Sequence, residues 1–267
     1  MSASRIQRSV TKIHFHKYQA TGNDFVLIDN RSGEYFFTKA QIEKICDRRF
    51  GIGADGLILI EKHPSLDFNL VYYNSDGSQS LCGNGTRAAV MMAASLGLLK
   101  NNTEFNAYDG PHHAEILKNG IVRLKMNDVT GTKKIGEDYF INTGSPHYLK
   151  FVTDVKNYSV VDEGRKIRYS QDYAPNGTNV NFIQLLENNT IYVRTYERGV
   201  EDETFSCGTG VTAAALAASF YGYSSPVKVN VRGGELSVEF KSGQAGTFHD
   251  IFLNGPAKMV FEGTLEL

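Results

Sequence analysis

The sequence predicts an α+β fold built from two pseudo-symmetric domains. Each is a mostly antiparallel sheet or barrel wrapped around a central helix, and the active site lies in the cleft between them. Three observations carry this expectation. Residues 81–97, "LCGNGTRAAVMMAASLG", and 206–222, "SCGTGVTAAALAASFYG", nearly repeat each other. Both contain C-G-x-G-x-x-A-A, and the two cysteines, Cys82 and Cys207, stand 125 residues apart in a chain of 267. The run after Cys207, "VTAAALAASFY", is apolar or small on every face, as expected of a helix buried all round. Around both helices, several strand-like runs come before and more come after, without the strict β-α alternation of a parallel sheet.

Taken in order, "KYQATGNDFVLID" reads as a strand, a glycine turn and a second strand. Residues 38–50 read as a helix, with Thr38 as N-cap and Ile42, Ile45 and Cys46 on one face. "GLILIEK" and "FNLVYYN" are rich in β-branched and aromatic residues and read as strands. The first central helix is expected over about 84–99, and "HAEILKNGIVRLKM" reads as a hairpin around Asn119-Gly120. In the second half "YFINTGSPHYLKFV" and "TNVNFIQLLENNTIYVRTYER" are strand-rich, and the second central helix is expected over about 209–222. "VKVNVRGGELSVEF" and "IFLNGPAKMVFEGTLEL" both look hairpin-like. The expected domains are 1–128 and 129–257, with a last strand of about 258–267 returning to the first.

Composition narrows the function. A net charge of −1 gives no general attraction to nucleic acid or anionic membrane. No apolar run approaches the ~20 residues that span a bilayer. The N-terminal "MSASRIQRSVTKIHFHKY" lacks the apolar core of a secretory signal and reads as a short frayed tail. Three cysteines are too few, and odd in number, for a disulfide scaffold, so a cytoplasmic location is expected. No C-x-x-C occurs, His112-His113 reads as an isolated loop pair, and no metal or cofactor is expected. "GIGADG" (51–56) matches G-x-G-x-x-G, but it follows a helix and precedes a strand, the reverse of the dinucleotide-binding context.

The paired cysteines permit one particular chemistry. A helix start offers unpaired N–H groups and a partial positive charge, which suit a carboxylate and favour a thiolate. The expectation is therefore that Cys82 and Cys207 titrate below the ordinary thiol range. Two thiols on opposite faces of one carbon can remove a proton from one side and deliver one to the other, which is racemisation or epimerisation. Fixed donors must then take up the charge that grows on the carboxylate. One such donor is typically worth ~3 kcal/mol, so four would supply on the order of 10 if additive. That compares with about 8 kcal/mol at the low end of enzymatic barrier lowering, so no pyridoxal group is required. The residues alone leave two other readings of the pair open, a structural disulfide and two packed interior thiols. Cys46 reads as core.

Seven segments in order resemble the diaminopimelate epimerase family, a pyridoxal-independent group. They are "GNDFV" (22–26), "DRRFGIGADG" (47–56), "YNSDGS" (73–78), "CGNGTRA" (82–88), "NTGSPH" (142–147), "GTNVNF" (177–182) and "YERGVEDETFSCGTG" (196–210). The resemblance implies that Cys82 and Cys207 are the acid/base pair, with Glu197 and His147 placed beside them. It implies that Gly83 with Asn84, and Gly208 with Thr209, hold the reacting carboxylate. Asn23, Asn74, Asn179, Glu197 and Arg198 would bind the amino and carboxylate groups of a small-molecule substrate. It implies interconversion of L,L- and meso-diaminopimelate in lysine and peptidoglycan-precursor biosynthesis, by a homodimer with no nucleic-acid or membrane partner. The alternative is a racemase of another amino acid, such as histidine or proline. Four departures stand out: Gly56 where the family often has a substrate-contacting Gln, Ser145 where it often has Asn, a gap one residue shorter before Cys82, and "TRAA" in place of the frequent "GRC".

Overall fold

Strand alternation and two small-residue helices organise the chain in a computed structural model that describes residues 12–266. Residues 1–11 of the N-terminal tail lie outside the described residues, while residues 12–18, also read as frayed tail, belong to a strand that pairs along its length with the chain's last strand. The first half contains β1 (Lys12–Ala20), β2 (Asn23–Asp29), α1 (Lys39–Cys46), β3 (Gly56–Glu61), β4 (Phe68–Asn74), α2 (Gly83–Ser95), β5 (Asn102–Ala107), β6 (Gly110–Ile116) and β7 (Val122–Lys125). The second contains β8 (Thr132–Ile135), β9 (Asp138–Asn142), β10 (Pro146–Phe151), α3 (Val160–Arg168), β11 (Asn179–Leu186), β12 (Thr190–Glu197), β13 (Asp202–Thr204), α4 (Gly208–Ala218), β14 (Val227–Val231), β15 (Gly234–Ser242), β16 (Phe248–Gly255) and β17 (Lys258–Glu266).

The pairings disclose the duplication. From β17 through β1 to β7 the successive neighbours run antiparallel, antiparallel, parallel, antiparallel, parallel, antiparallel, antiparallel. From β8 through β12, β14 and β15 to β16 the same sequence of directions recurs. β7 and β16 then pair antiparallel and join the halves. A parallel step needs a crossover, and in each half the two crossovers are carried by helices. α1 and α2 serve the first half, α3 and α4 the second.

α2 and α4 are the inner helices. α2 packs against β1, β2, β3, β4, β7 and β17, and α4 against β9, β10, β11, β12, β14, β15 and β16. Ala88, Ala89 and Ala93, and Ala213 to Ala215 with Ala217 and Ala218, are fully buried. Their small side chains let sheet close in on every side. Fully buried Phe25, Phe68, Phe105 and Phe182 contribute on the order of 1.5–3 kcal/mol each by leaving water. α1 lies outside the sheet, where Ile42, Ile45 and Cys46 pack on Val26, Ile28, Leu57 and Leu59.

Three sequence expectations need correction. β16 and β17 do not form a hairpin: β16 pairs with β7 and β15, and β17 with β1, because the chain crosses between halves around Pro256. α3 gave no clear signal, since Gly164 and a run of charges interrupt its apolar face. That glycine is required because a Cβ there would collide with the Tyr196 side chain. His112 and His113 lie within β6, not a loop, and His112 is bonded to Asp109 at 2.7 Å. The first central helix also ends earlier than expected, at Ser95, whereas α4 passes at Ala218 into a 3-10 turn that runs to Tyr221, close to the expected end.

Candidate active site

Both cysteines are N-caps, and their backbones are nearly identical. Cys82 has φ −124° and ψ 111°, and Cys207 has φ −120° and ψ 112°. The glycines after them bring the helix starts together: a Cβ on Gly208 would stand 3.5 Å from the Cα of Gly83. Asn84 spans the junction. Its Nδ2 donates to the Ser206 carbonyl at 2.9 Å and to Asn23 Oδ1 at 3.3 Å. The Cys82 Sγ lies 3.6 Å from that same Asn23 oxygen and accepts from the Gly85 N–H at 3.4 Å.

Asn23 rests on a charged platform. Its Nδ2 donates to Asp55, which also accepts from the Asp24 N–H at 3.1 Å and pairs with Arg48 at 2.7 Å. Arg48 reaches Asp24 at 2.6 Å, as does the buried Lys17. Burial alone would raise the Asp24 carboxyl, but its bonds to Arg48 and Lys17 hold it at about 2.

The other thiol is backed by a relay. Cys207 Sγ lies 3.5 Å from Thr209 Oγ1, and Thr209 Oγ1 lies 2.9 Å from His147 Nε2. His147 Nδ1 lies 2.9 Å from Asn181 Oδ1, while Asn181 Nδ2 donates to Thr195 at 2.7 Å. With the Asn181 oxygen facing the ring, Nδ1 carries the proton and Nε2 accepts from the threonine hydroxyl. Thr209 is then free to accept from the Cys207 thiol. His147 is fully buried, and burial lowers it to about 4, so it is neutral at pH 7.

Glu197 ends β12, and burial, with Asp55 as a lesser cause, raises its carboxyl above the usual range. It acts electrostatically on both thiols. Next to it, the Arg198 N–H donates to Asn179 Oδ1 at 2.9 Å, and Asn179 Nδ2 donates to the Pro146 carbonyl at 3.1 Å. The Arg198 guanidinium makes only long bonds, 3.3 and 3.4 Å, to the carbonyls of Asn176 and Gly177. No carboxylate pairs with it among the described residues. Asn74 behaves as a turn residue, with Nδ2 donating to Ser78 Oγ at 3.0 Å and Ser80 Oγ at 3.2 Å.

The thiols titrate opposite to the sequence expectation. Burial pushes Cys82 up to about 11, against the Gly85 and Asn84 N–H groups and Arg87, which favour the thiolate. Burial, followed by Glu197, pushes Cys207 well above the ordinary thiol range. The helix starts do favour the thiolates, but desolvation outweighs them. Both cysteines are free.

Comparison with known proteins places this arrangement. A family model described as diaminopimelate epimerase matches residues 15–131 and 139–260. A diaminopimelate epimerase of Flavobacterium psychrophilum is 51% identical over 256 residues, covering 94% of this chain and 99% of that protein. The chain belongs to the diaminopimelate epimerase family. A second member, from Chlorobaculum tepidum, is 41% identical over 257 residues, covering 92% and 98%. Among solved structures, a Bacillus anthracis PhzF-family phenazine biosynthesis protein aligns with TM-score 0.75 at 14% identity, covering 96% of this chain and all of that one. A hydroxyproline epimerase from Agrobacterium vitis aligns with TM-score 0.69 at 12% identity, covering 96% and 93%. Both share the two-domain fold.

Against the diaminopimelate epimerase pattern, Gly56 has a local cause. A Cβ there would lie 2.6 Å from the Tyr73 carbonyl and 2.9 Å from Tyr72 Cζ, so no longer side chain fits. Sequence reading missed Asn181, Thr195 and Arg87. Asn181 sits inside the quoted "GTNVNF", and its alternation with Asn179 along β11 was the available signal.

Proposed function

We propose that this chain interconverts L,L- and meso-diaminopimelate by a cofactor-independent two-base reaction at Cys82 and Cys207. The observation that carries the proposal is the abutment of two cysteine-capped helix starts, one from each half of the repeat, across the Gly83–Gly208 contact. One sulfur removes the α-proton and the opposing S–H delivers one to the other face. The N–H groups of Gly83, Asn84, Gly208 and Thr209 take up charge developing on the carboxylate. Arg198 clamps a carboxylate, and Asn23, Asn74, Asn179 and Glu197 receive ammonium and carboxylate groups. A substrate carboxylate and closure around it supply the water-excluded setting in which a proton can leave a carbon. His147 orders Thr209 and through it the Cys207 proton.

The domain division 1–128 and 129–257 belongs to the same proposal, with 258–267 returning to the first domain. The antiparallel β17–β1 ladder supports it. No helix among the described residues is long and apolar enough to cross a membrane. A cytoplasmic homodimer completes the reading. The edge strand β17 exposes Met259, Val260 and Phe261, which suits a second copy, and light scattering on the purified protein checks it.

Chiral chromatography after incubation with L,L-diaminopimelate, meso-diaminopimelate, L-histidine and L-proline tests the substrate. Interconversion of the first two alone is expected. Racemisation of histidine or proline without turnover of diaminopimelate overturns the proposal in favour of a racemase on the same fold.

A further inference from the structure

Arg87 lies in α2 and is fully buried. Interiors rarely hold an arginine without a carboxylate, yet among the described residues no ion pair includes Arg87. All its bonds go to neutral groups. Nη1 donates to the Gly83 carbonyl at 3.4 Å, and Nη2 to Asn84 Oδ1 at 2.9 Å and Thr21 Oγ1 at 3.2 Å. Nε has no partner. β16 closes the other side, where a Cβ on Gly255 would stand 3.0 Å from Nε. The cation also sits near the positive end of its own helix, where the dipole opposes it. Burial, absence of a counter-ion and position along the helix all count against the charge.

Cys82 caps the same helix immediately before Gly83, whose carbonyl Arg87 holds, so the cation sits behind the helix start that carries the thiol. The same guanidinium fixes Asn84 Oδ1, which leaves Asn84 Nδ2 to bridge Asn23 and Ser206. We propose that Arg87 is a positioning residue of the two-thiol centre: a standing counter-charge to the Cys82 thiolate that also sets the Asn84 bridge between the two halves. Its role rests on the two-base reading above. The electrostatics agree in direction, since Arg87 favours the Cys82 thiolate while burial lowers Arg87 itself to about 10.

Two variants separate charge from hydrogen bonding. Arg87→Gln keeps polar contacts and removes the charge; Arg87→Lys keeps the charge and removes the fork. The first measurement is the iodoacetamide alkylation rate of Cys82 at pH 8, read by peptide mapping, which needs no substrate. Arg87→Gln should react about ten-fold more slowly than wild type, and Arg87→Lys within about three-fold of it. The second is kcat and KM for α-hydrogen exchange of diaminopimelate. There Arg87→Gln should lose about 100-fold in kcat and Arg87→Lys about ten-fold, each with KM within about three-fold. A folded Arg87→Gln protein, native by circular dichroism, with wild-type Cys82 reactivity overturns the proposal. If Arg87→Gln does not fold, Arg87→Lys decides: retained Cys82 reactivity with reduced kcat supports the proposal, and a ten-fold loss of reactivity in a native protein overturns it. Failure of wild type to exchange diaminopimelate would count against the substrate reading, and the alkylation arm would still decide the role of Arg87.

Discussion

Asn84 and Ser206 meet across the junction of the two halves: the Asn84 side-chain N–H donates to the Ser206 carbonyl at 2.9 Å. Ser206 immediately precedes Cys207, so this bond ties the start of one central helix to the lead-in of the other.

Replacing Asn84 by Ala removes that tie. A buried amide that loses its partners typically costs about 1–3 kcal/mol. Thermal unfolding of Asn84→Ala should show a loss of that order. Activity should fall about 100-fold, chiefly in kcat, because the helix starts lose their relative placement. Steady-state kinetics with diaminopimelate check the split.

Acid should destabilise the protein through His147. Its folded pKa of about 4 lies below the unfolded value near 6.5, so the folded state refuses a proton that the unfolded state takes. The stability it contributes is complete above about pH 6.5 and is lost as pH falls towards 4. One pKa unit corresponds to about 1.4 kcal/mol, so the loss by pH 4 is about 3 kcal/mol. Asp24 acts in the same direction but lower, below its ordinary value and towards about 2. Urea unfolding at pH 7 and pH 4.5 should show a steeper loss in wild type than in His147→Gln, which should also have kcat lowered about ten-fold.

Gly210 leaves the room in which the relay is built. A Cβ there would collide with Asn181 Nδ2 and stand 3.2 Å from His147 Cε1. Gly210→Ala should cost about 1–3 kcal/mol by overpacking. It should also impair the reaction about as much as His147→Gln does, because it displaces the same ring. Denaturation midpoints and kcat of the two variants make the comparison.

Mild oxidation should join Cys82 to Cys207. Intact-mass spectrometry of the oxidised protein should show the loss of two hydrogens, peptide mapping should place the bond, and dithiothreitol should restore activity. Cys46 should stay free, since it is buried on the inner face of α1.

Much of this was legible because duplication leaves a mark on local sequence. C-G-x-G followed by an alanine-rich run occurs twice, and it located both helix starts and both thiols. The residues matching family motifs include His147, which the structure joins to Cys207 through Thr209. Other features depend on parts of the chain that are distant in sequence. The upward titration of the thiols comes from burial, which the helix start alone does not reveal. No local sequence signal marked Arg87, whose burial depends on strands distant in sequence such as β16, packed against it at Gly255. β17 looks locally like the return strand of a hairpin, and although its return to the first domain was expected, nothing near it in sequence names β1 as the partner. Asn74 matched a motif, and its side-chain N–H also braces its own turn, as a local reading allowed.

The central claim is that two sulfurs act on opposite faces of one carbon, and hydrogen isotope tracing in D₂O tests it most directly. Starting from L,L-diaminopimelate at early turnover, the account predicts meso product carrying one deuterium at the inverted carbon while the remaining L,L pool keeps its hydrogen. Product that retains the substrate's own hydrogen would point to a single base working both faces, and would contradict the account.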